Sequence, residues 1–126
     1  MAQPRLRISA TVLGAPDPRA LASFYERLLG WTRVADEPVW VMLKPPEPGT
    51  GLSFQYEAEY VPPVWPAAER EQQMMSHLDI AVDDLGEGVR WAVENGATEA
   101  SFQPQDGVRV MLDPAGHPFC LFEAGG

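Results

Sequence analysis

Two histidines and a single cysteine are the side chains best suited to acid–base, metal or nucleophilic chemistry. His77 opens the run His77-Leu78-Asp79-Ile80-Ala81-Val82. Leu78, Ile80 and Val82 form one apolar strand face, so His77, Asp79 and Ala81 share the other. An imidazole there can ligate a metal or stand as a hydrogen-bonded histidine lining a metal-free pocket. Asp79 is then an acid beside His77, or simply a residue near the sheet edge. His117 follows Asp113-Pro114-Ala115-Gly116, which is strong turn chemistry, and reads as a turn residue. Cys120 lies in the apolar strand Phe119-Cys120-Leu121-Phe122. That setting lacks the electropositive surroundings of a reactive thiolate, so Cys120 reads as a small core residue.

Aromatic side chains are the second chemical resource. Four tryptophans in 126 residues are many, and Trp40 and Trp65 are the two expected to line a ligand pocket. Trp65 is held by flanking prolines in the stretch Val61-Pro62-Pro63-Val64-Trp65-Pro66. Arg109 and Met111 complete the expected lining with Asp79. Aromatic walls carrying a few polar groups are the usual make-up of small-molecule sites. Nine basic against 18 acidic residues give a net charge of −9. Phosphate backbones are repelled by such a surface, so nucleic acid is not an expected partner. A cationic ligand is attracted, and aromatic faces suit one. The same charge also serves plain solubility.

The elements that must position these residues are written twice. Val39-Trp40-Val41-Met42-Leu43-Lys44-Pro45 returns as Val108-Arg109-Val110-Met111-Leu112-Asp113-Pro114, an offset of 69 that sets Trp40 against Arg109. Ser9-Ala10 maps to Ser76-His77 and Asp17 to Asp84 at 67, Gly30 to Gly96 at 66, and Gln55 to Glu123 at 68. A repeat of this kind governs every local reading. In the first copy, residues 8–15 read as a strand. Asp17 then caps a helix that opens with Pro18 and closes at Gly30. Strands are expected over 31–34, 39–43 and 52–56. The second copy gives a strand over 76–82 and a helix with the capping-box pair Asp84 and Glu87, ended by Gly96. Strands over 99–102, 108–112 and 119–123 follow. Each half is strand-helix-strand-strand-strand. Residues 57–75 read as an ordered connector with a short helix from Ala67, since long structureless loops are uncommon in compact domains.

A chain of 126 residues, 45% hydrophobic and 21% charged, is the size and composition of one globular domain. A lone cysteine excludes an intramolecular disulfide, and the reducing cytosol is the expected compartment. Arg5 and Arg7 before the apolar stretch 8–15 mimic a secretion signal. Ser9 and Thr11 interrupt that stretch, however, and cleavage would remove the first strand. No run approaches the roughly 20 apolar residues of a membrane span, so no membrane partner is expected.

The doubled βαβββ pattern resembles the vicinal oxygen chelate superfamily, which includes glyoxalase I, extradiol dioxygenases, bleomycin-resistance proteins and glyoxalase-like domains. The matching stretches are the first strand into Asp17 with Phe24-Tyr25 and Leu29-Gly30, then 77–84, then 113–119. Leu52-Ser53-Phe54-Gln55 is closest to the glyoxalase-like subgroup. The resemblance implies an α+β fold, with two βαβββ modules in tandem forming one domain with a shared concave cleft. It implies four inward positions, here Ala10, Gln55, His77 and Glu123. Gln55, His77 and Glu123 would be metal ligands for Zn, Ni, Fe or Mn, with Glu123 as the catalytic group and Ala10 as the missing fourth ligand. Such an ion could polarise a carbonyl or stabilise an enediolate. Two functions follow from this. One is a binding protein, with or without metal, for an aromatic or cationic metabolite or drug. The other is a divalent-metal-dependent lyase or isomerase acting on vicinal oxygens. Extradiol cleavage needs a second histidine ligand and is disfavoured. Relatives also suggest a homodimer.

Overall fold

The computed structural model describes residues 3–124, and its contacts divide the chain between Ala58 and Glu59 into two compact units. In the first unit β1 (Ala10–Ala15) leads into α1 (Pro18–Leu29), then β2 (Thr32–Glu37), β3 (Trp40–Lys44) and β4 (Gly51–Tyr56). The second unit repeats this with β5 (Leu78–Val82), α2 (Leu85–Glu94), β6 (Thr98–Glu99), β7 (Val108–Leu112) and β8 (Pro118–Glu123). The two four-stranded sheets have the same order, β1-β4-β3-β2 and β5-β8-β7-β6. In each, the first and last strands pair in parallel and the remaining pairs are antiparallel. The fold is therefore α+β, made of two βαβββ modules.

Local chemistry sets the helix ends. Asp17 accepts the Ala20 amide at 3.1 Å, and Pro18 fills the first turn. Gly30 closes α1 in the left-handed region at φ 70°, its N–H reaching the Glu26 carbonyl. Asp84 accepts the Glu87 amide at 2.9 Å in the same way. In the first module Leu21, Phe24 and Tyr25 of α1 pack on the sheet face carrying Val41, Leu43 and Phe54, all essentially buried. The Tyr25 and Phe54 rings stack with centroids 5.7 Å apart.

In the second module Val82 lies under α2, because a Cβ built on Gly88 of that helix would meet Val82 at 3.0 Å. The register then assigns faces to every strand of the sheet. Leu78, Ile80 and Val82 pair with Phe119, Leu121 and Glu123, so all six point to the helix face. Arg109 and Met111, paired with Leu121 and Phe119, join them. Asp79 and Ala81 pair with Cys120 and Phe122 on the far face.

Residues 59–75 belong to the second unit. Val64 bridges to Gln73, and the Tyr60 hydroxyl donates to the Ala115 carbonyl at 2.8 Å. The short helix expected from Ala67 is replaced by a turn. The Glu71 side chain accepts the Ala68 amide at 2.6 Å, and Arg70 takes a left-handed φ of 70°, which ends any helical run. The Asp113 turn forms as read: its carboxylate accepts the Ala115 and His117 amides, both at 2.9 Å, and Gly116 supplies φ 93°.

Candidate functional site

In the second module the far face gathers His77, Asp79 and Cys120. His77 Nε2 lies 3.1 Å from Asp79 Oδ1. The indole of Trp65 lies against the His77 ring, centroids 4.8 Å apart and planes at 30°. Phe102 meets Trp65 edge-on at 5.3 Å. Beneath them is Cys120, 4% exposed, directly across from Asp79. The His77, Asp79 and Cys120 donor atoms all lie within 4.8 Å of one another. Burial, and secondarily the Asp79 charge, push the Cys120 thiol above its ordinary range, so it rests as a neutral thiol. Asp79 stays open to solvent with 63% of its side chain exposed.

The remaining sequence-derived site residues lie elsewhere. Glu123 is the central correction. The pairs Ala15 with Tyr56 and Val82 with Glu123 put β4 and β8 at an offset of 67, so Gln55 corresponds to Phe122 and not to Glu123. One residue of slip exchanges the faces of a strand. The Glu123 carboxylate accordingly turns to α2 and accepts the Leu85 amide at 2.9 Å. The offset for β3 and β7 is 68, again one less than the sequence match gives: Trp40 faces Gln55 where Val108 faces Phe122, so Arg109 is not the partner of Trp40. Arg109 lies 3.7 Å from Glu99, and Met111 is wholly buried, out of reach of a ligand. In the first module Gln55 donates to the Glu57 carboxylate at 2.6 Å on the face that Trp40 shares.

These placements test the implied metal set. Ala10 carries no donor, the Gln55 amide is tied to Glu57, and Glu123 faces the wrong side of its strand. Of the four positions only His77 offers a strong donor on the far face, so the residues do not fit a metal held by that set.

Two of the cavities among the described residues bear on the site. One of about 600 Å³ in the first module is lined by Ala10, Met42, Lys44, Gly51 and Ser53 among others. The Ser53 hydroxyl is buried there without a hydrogen-bond partner among the described residues. The other, of about 240 Å³, lies between Tyr60, Pro63, Gln73, Met75 and His117. The imidazole of His117 is 5.3 Å from the Tyr60 ring, and its backbone N–H completes the Asp113 turn. Sequence reasoning missed the proximity of Cys120 to His77 and Asp79. Only the β5/β8 pairing shows it, although the far-face phase of Asp79 was available. No helix among the described residues is long and apolar enough to cross a membrane.

Comparison with known proteins follows this geometry. Residues 10–122 match the sequence profile of the glyoxalase-like domain. A bleomycin resistance determinant encoded on transposon Tn5 is 22% identical and has a TM-score of 0.62, the match covering 96% of this chain and 100% of that one. A glyoxalase/bleomycin resistance protein/dioxygenase family enzyme from Burkholderia phytofirmans PsJN is 17% identical with a TM-score of 0.68, covering 91% and 96%. An antibiotic binding protein from Streptomyces sp. CB03234 is 17% identical with a TM-score of 0.63, covering 97% and 98%. At these identities the likeness is one of fold. No curated protein matches the chain.

Proposed function

This chain belongs to the glyoxalase-like domain family, and from that premise we propose that it is a small-molecule-binding protein taking an aromatic or cationic ligand. The observation that carries this reading is the Trp65–His77 stack with Asp79 3.1 Å from the imidazole and Phe102 closing the far edge of the indole. Such an array offers a π face for a planar or cationic group and a solvent-exposed carboxylate for a positive charge. The net charge of −9 draws cations toward it. Relatives of the same fold are named for bleomycin resistance and antibiotic binding, which supports a drug-sized ligand.

The test is calorimetric titration with benzyltrimethylammonium, planar cationic dyes and bleomycin. Saturable binding by at least one, weakened roughly tenfold by Trp65→Ala and by Asp79→Asn, is expected from the size of a cation–π contact. No saturable binding to any of the panel sinks the reading.

A further inference from the structure

We infer that the first module carries a second binding site, for an anionic group borne on an apolar body, in the cavity of about 600 Å³ beside Ser53. The sheet places its parts. Ser53 sits on central β4, paired with Val12 of β1 and Met42 of β3. Its neighbours Leu52 and Phe54 are buried on the face that α1 covers, so the Ser53 side chain points off the opposite face. Lys44, two residues beyond Met42, projects to that same face. Ala10 and Gly51, partners across β1 and β4, put only a methyl and a hydrogen there and leave the space open. The Thr50 hydroxyl donates to the Ile8 carbonyl at 3.3 Å, and the Gly51 N–H to the Ser9 carbonyl at 3.0 Å. These two bonds tie the segment bearing Arg7 to the edge of the cavity.

Two observations give the site its chemistry. Ser53 is 1% exposed, and its hydroxyl has no hydrogen-bond partner among the described residues. A buried hydroxyl left unpaired is costly, and an acceptor oxygen entering the cavity would satisfy it. The second observation is charge. Arg19, Arg33, Arg90 and Arg109 each meet a carboxylate, whereas Arg7 and Lys44 meet none among the described residues. Both of these cations line the cavity, and no carboxylate among the described residues does. On a chain of net charge −9 that is a local reversal of sign. A carboxylate or phosphate group would accept the Ser53 O–H, with the Arg7 fork and the Lys44 ammonium supplying charge-assisted bonds. Ile8, Met42 and Pro48 offer an apolar wall for the rest of the molecule, and the cavity is of small-molecule size. This site uses no residue of the Trp65 array and selects the opposite charge, so it does not rest on the proposed function.

Calorimetric titration of the full chain with octanoate, octyl phosphate and uncharged octanol tests the inference. The expected result is saturable binding of at least one of the two anions, one per chain, about tenfold or more tighter than octanol. Octanoate alone identifies a carboxylate site, octyl phosphate alone a phosphate site, and both together a site that reads charge. Ser53→Ala should weaken the anion about tenfold without lowering thermal stability, because the hydroxyl it removes has no protein partner. Arg7→Gln combined with Lys44→Gln, at the exposed rim, should weaken it by about the same factor. Absence of saturable anion binding overturns the inference, as does equal binding of octanol or an unchanged affinity in either variant. Should Ser53→Ala fail to fold, the ratio of anion to octanol affinity and the rim variant still decide. Benzyltrimethylammonium, titrated in parallel, keeps the two readings apart. Anion failure with that cation still bound sinks only this site, whereas anion binding with the cation unbound sinks only the proposed function.

Discussion

Glu123 stands beside Val82 across the parallel β5/β8 pair, and its carboxylate receives the N–H of Leu85 at 2.9 Å. With Asp84 holding the Glu87 amide, two of the four unpaired donors at the start of α2 are satisfied by carboxylates, where the helix dipole also favours negative charge. Glu123→Ala is therefore expected to lower unfolding free energy by about 1 kcal/mol. Organic-cation binding should be unchanged. Urea denaturation alongside that titration checks this, and a loss of binding without a loss of stability would contradict it.

Gly51 offers a sharper stability test. A Cβ there would meet the Leu43 carbonyl oxygen at 2.7 Å, a backbone atom that cannot swing aside. Gly51→Ala is expected to cost about 1–3 kcal/mol by forcing β3 and β4 apart. Thermal unfolding should show a clear drop, while Gly107→Ala, with nothing near its Cβ, serves as the mild comparison.

Tyr60 makes stability depend on alkaline pH. Burial, and then the charge of Asp113, raise its phenol from 10.0 to about 12. The folded state thus prefers the protonated phenol that donates to Ala115. Its contribution is fully present below the unfolded value near 10 and is lost as pH climbs through about 12. The difference in phenolate absorbance between the native chain and Tyr60→Phe should show the Tyr60 phenol titrating late. In Tyr60→Phe that late titration and the matching fall in stability should both disappear.

Assembly is expected to be a homodimer. β2 and β6 each end a sheet, and Leu6 and Ile8 are 82% and 75% exposed ahead of β1. Sedimentation at micromolar concentration should give twice the chain mass, and Ile8→Ser should shift it toward monomer. A stable monomer of the native chain refutes this.

The same residues show which parts of the fold could be read from the chain. Helix ends were readable because Asp17, Pro18, Gly30 and Asp84 act on backbone groups within a few residues. The face of His77 and Asp79 was readable because alternation is a property of one strand. What failed was the phase between strands. Matching Val-x-Val-Met-Leu by identity placed β3 and β7 one residue out, and the same slip carried Glu123 to the face of His77. Register is fixed by pairing between distant segments and by loop lengths that composition does not encode. Cys120 was classed correctly as buried, but its neighbours depend on that same pairing. The turn at Arg70 was hidden for a related reason, since a polar run such as Glu69 to Gln73 has good helix propensity and only its contacts refuse it.

The docking of residues 59–75 onto the second unit makes the two copies equal in topology and unequal in equipment. Trp65 arrives on that segment, and its indole leans on His77 within the second unit. A guest drawn to the indole meets a single welcoming face per polypeptide, and occupancy should saturate at one molecule per chain despite the doubled architecture. The scaffold is present twice, and the added stretch of chain equips the second copy of it.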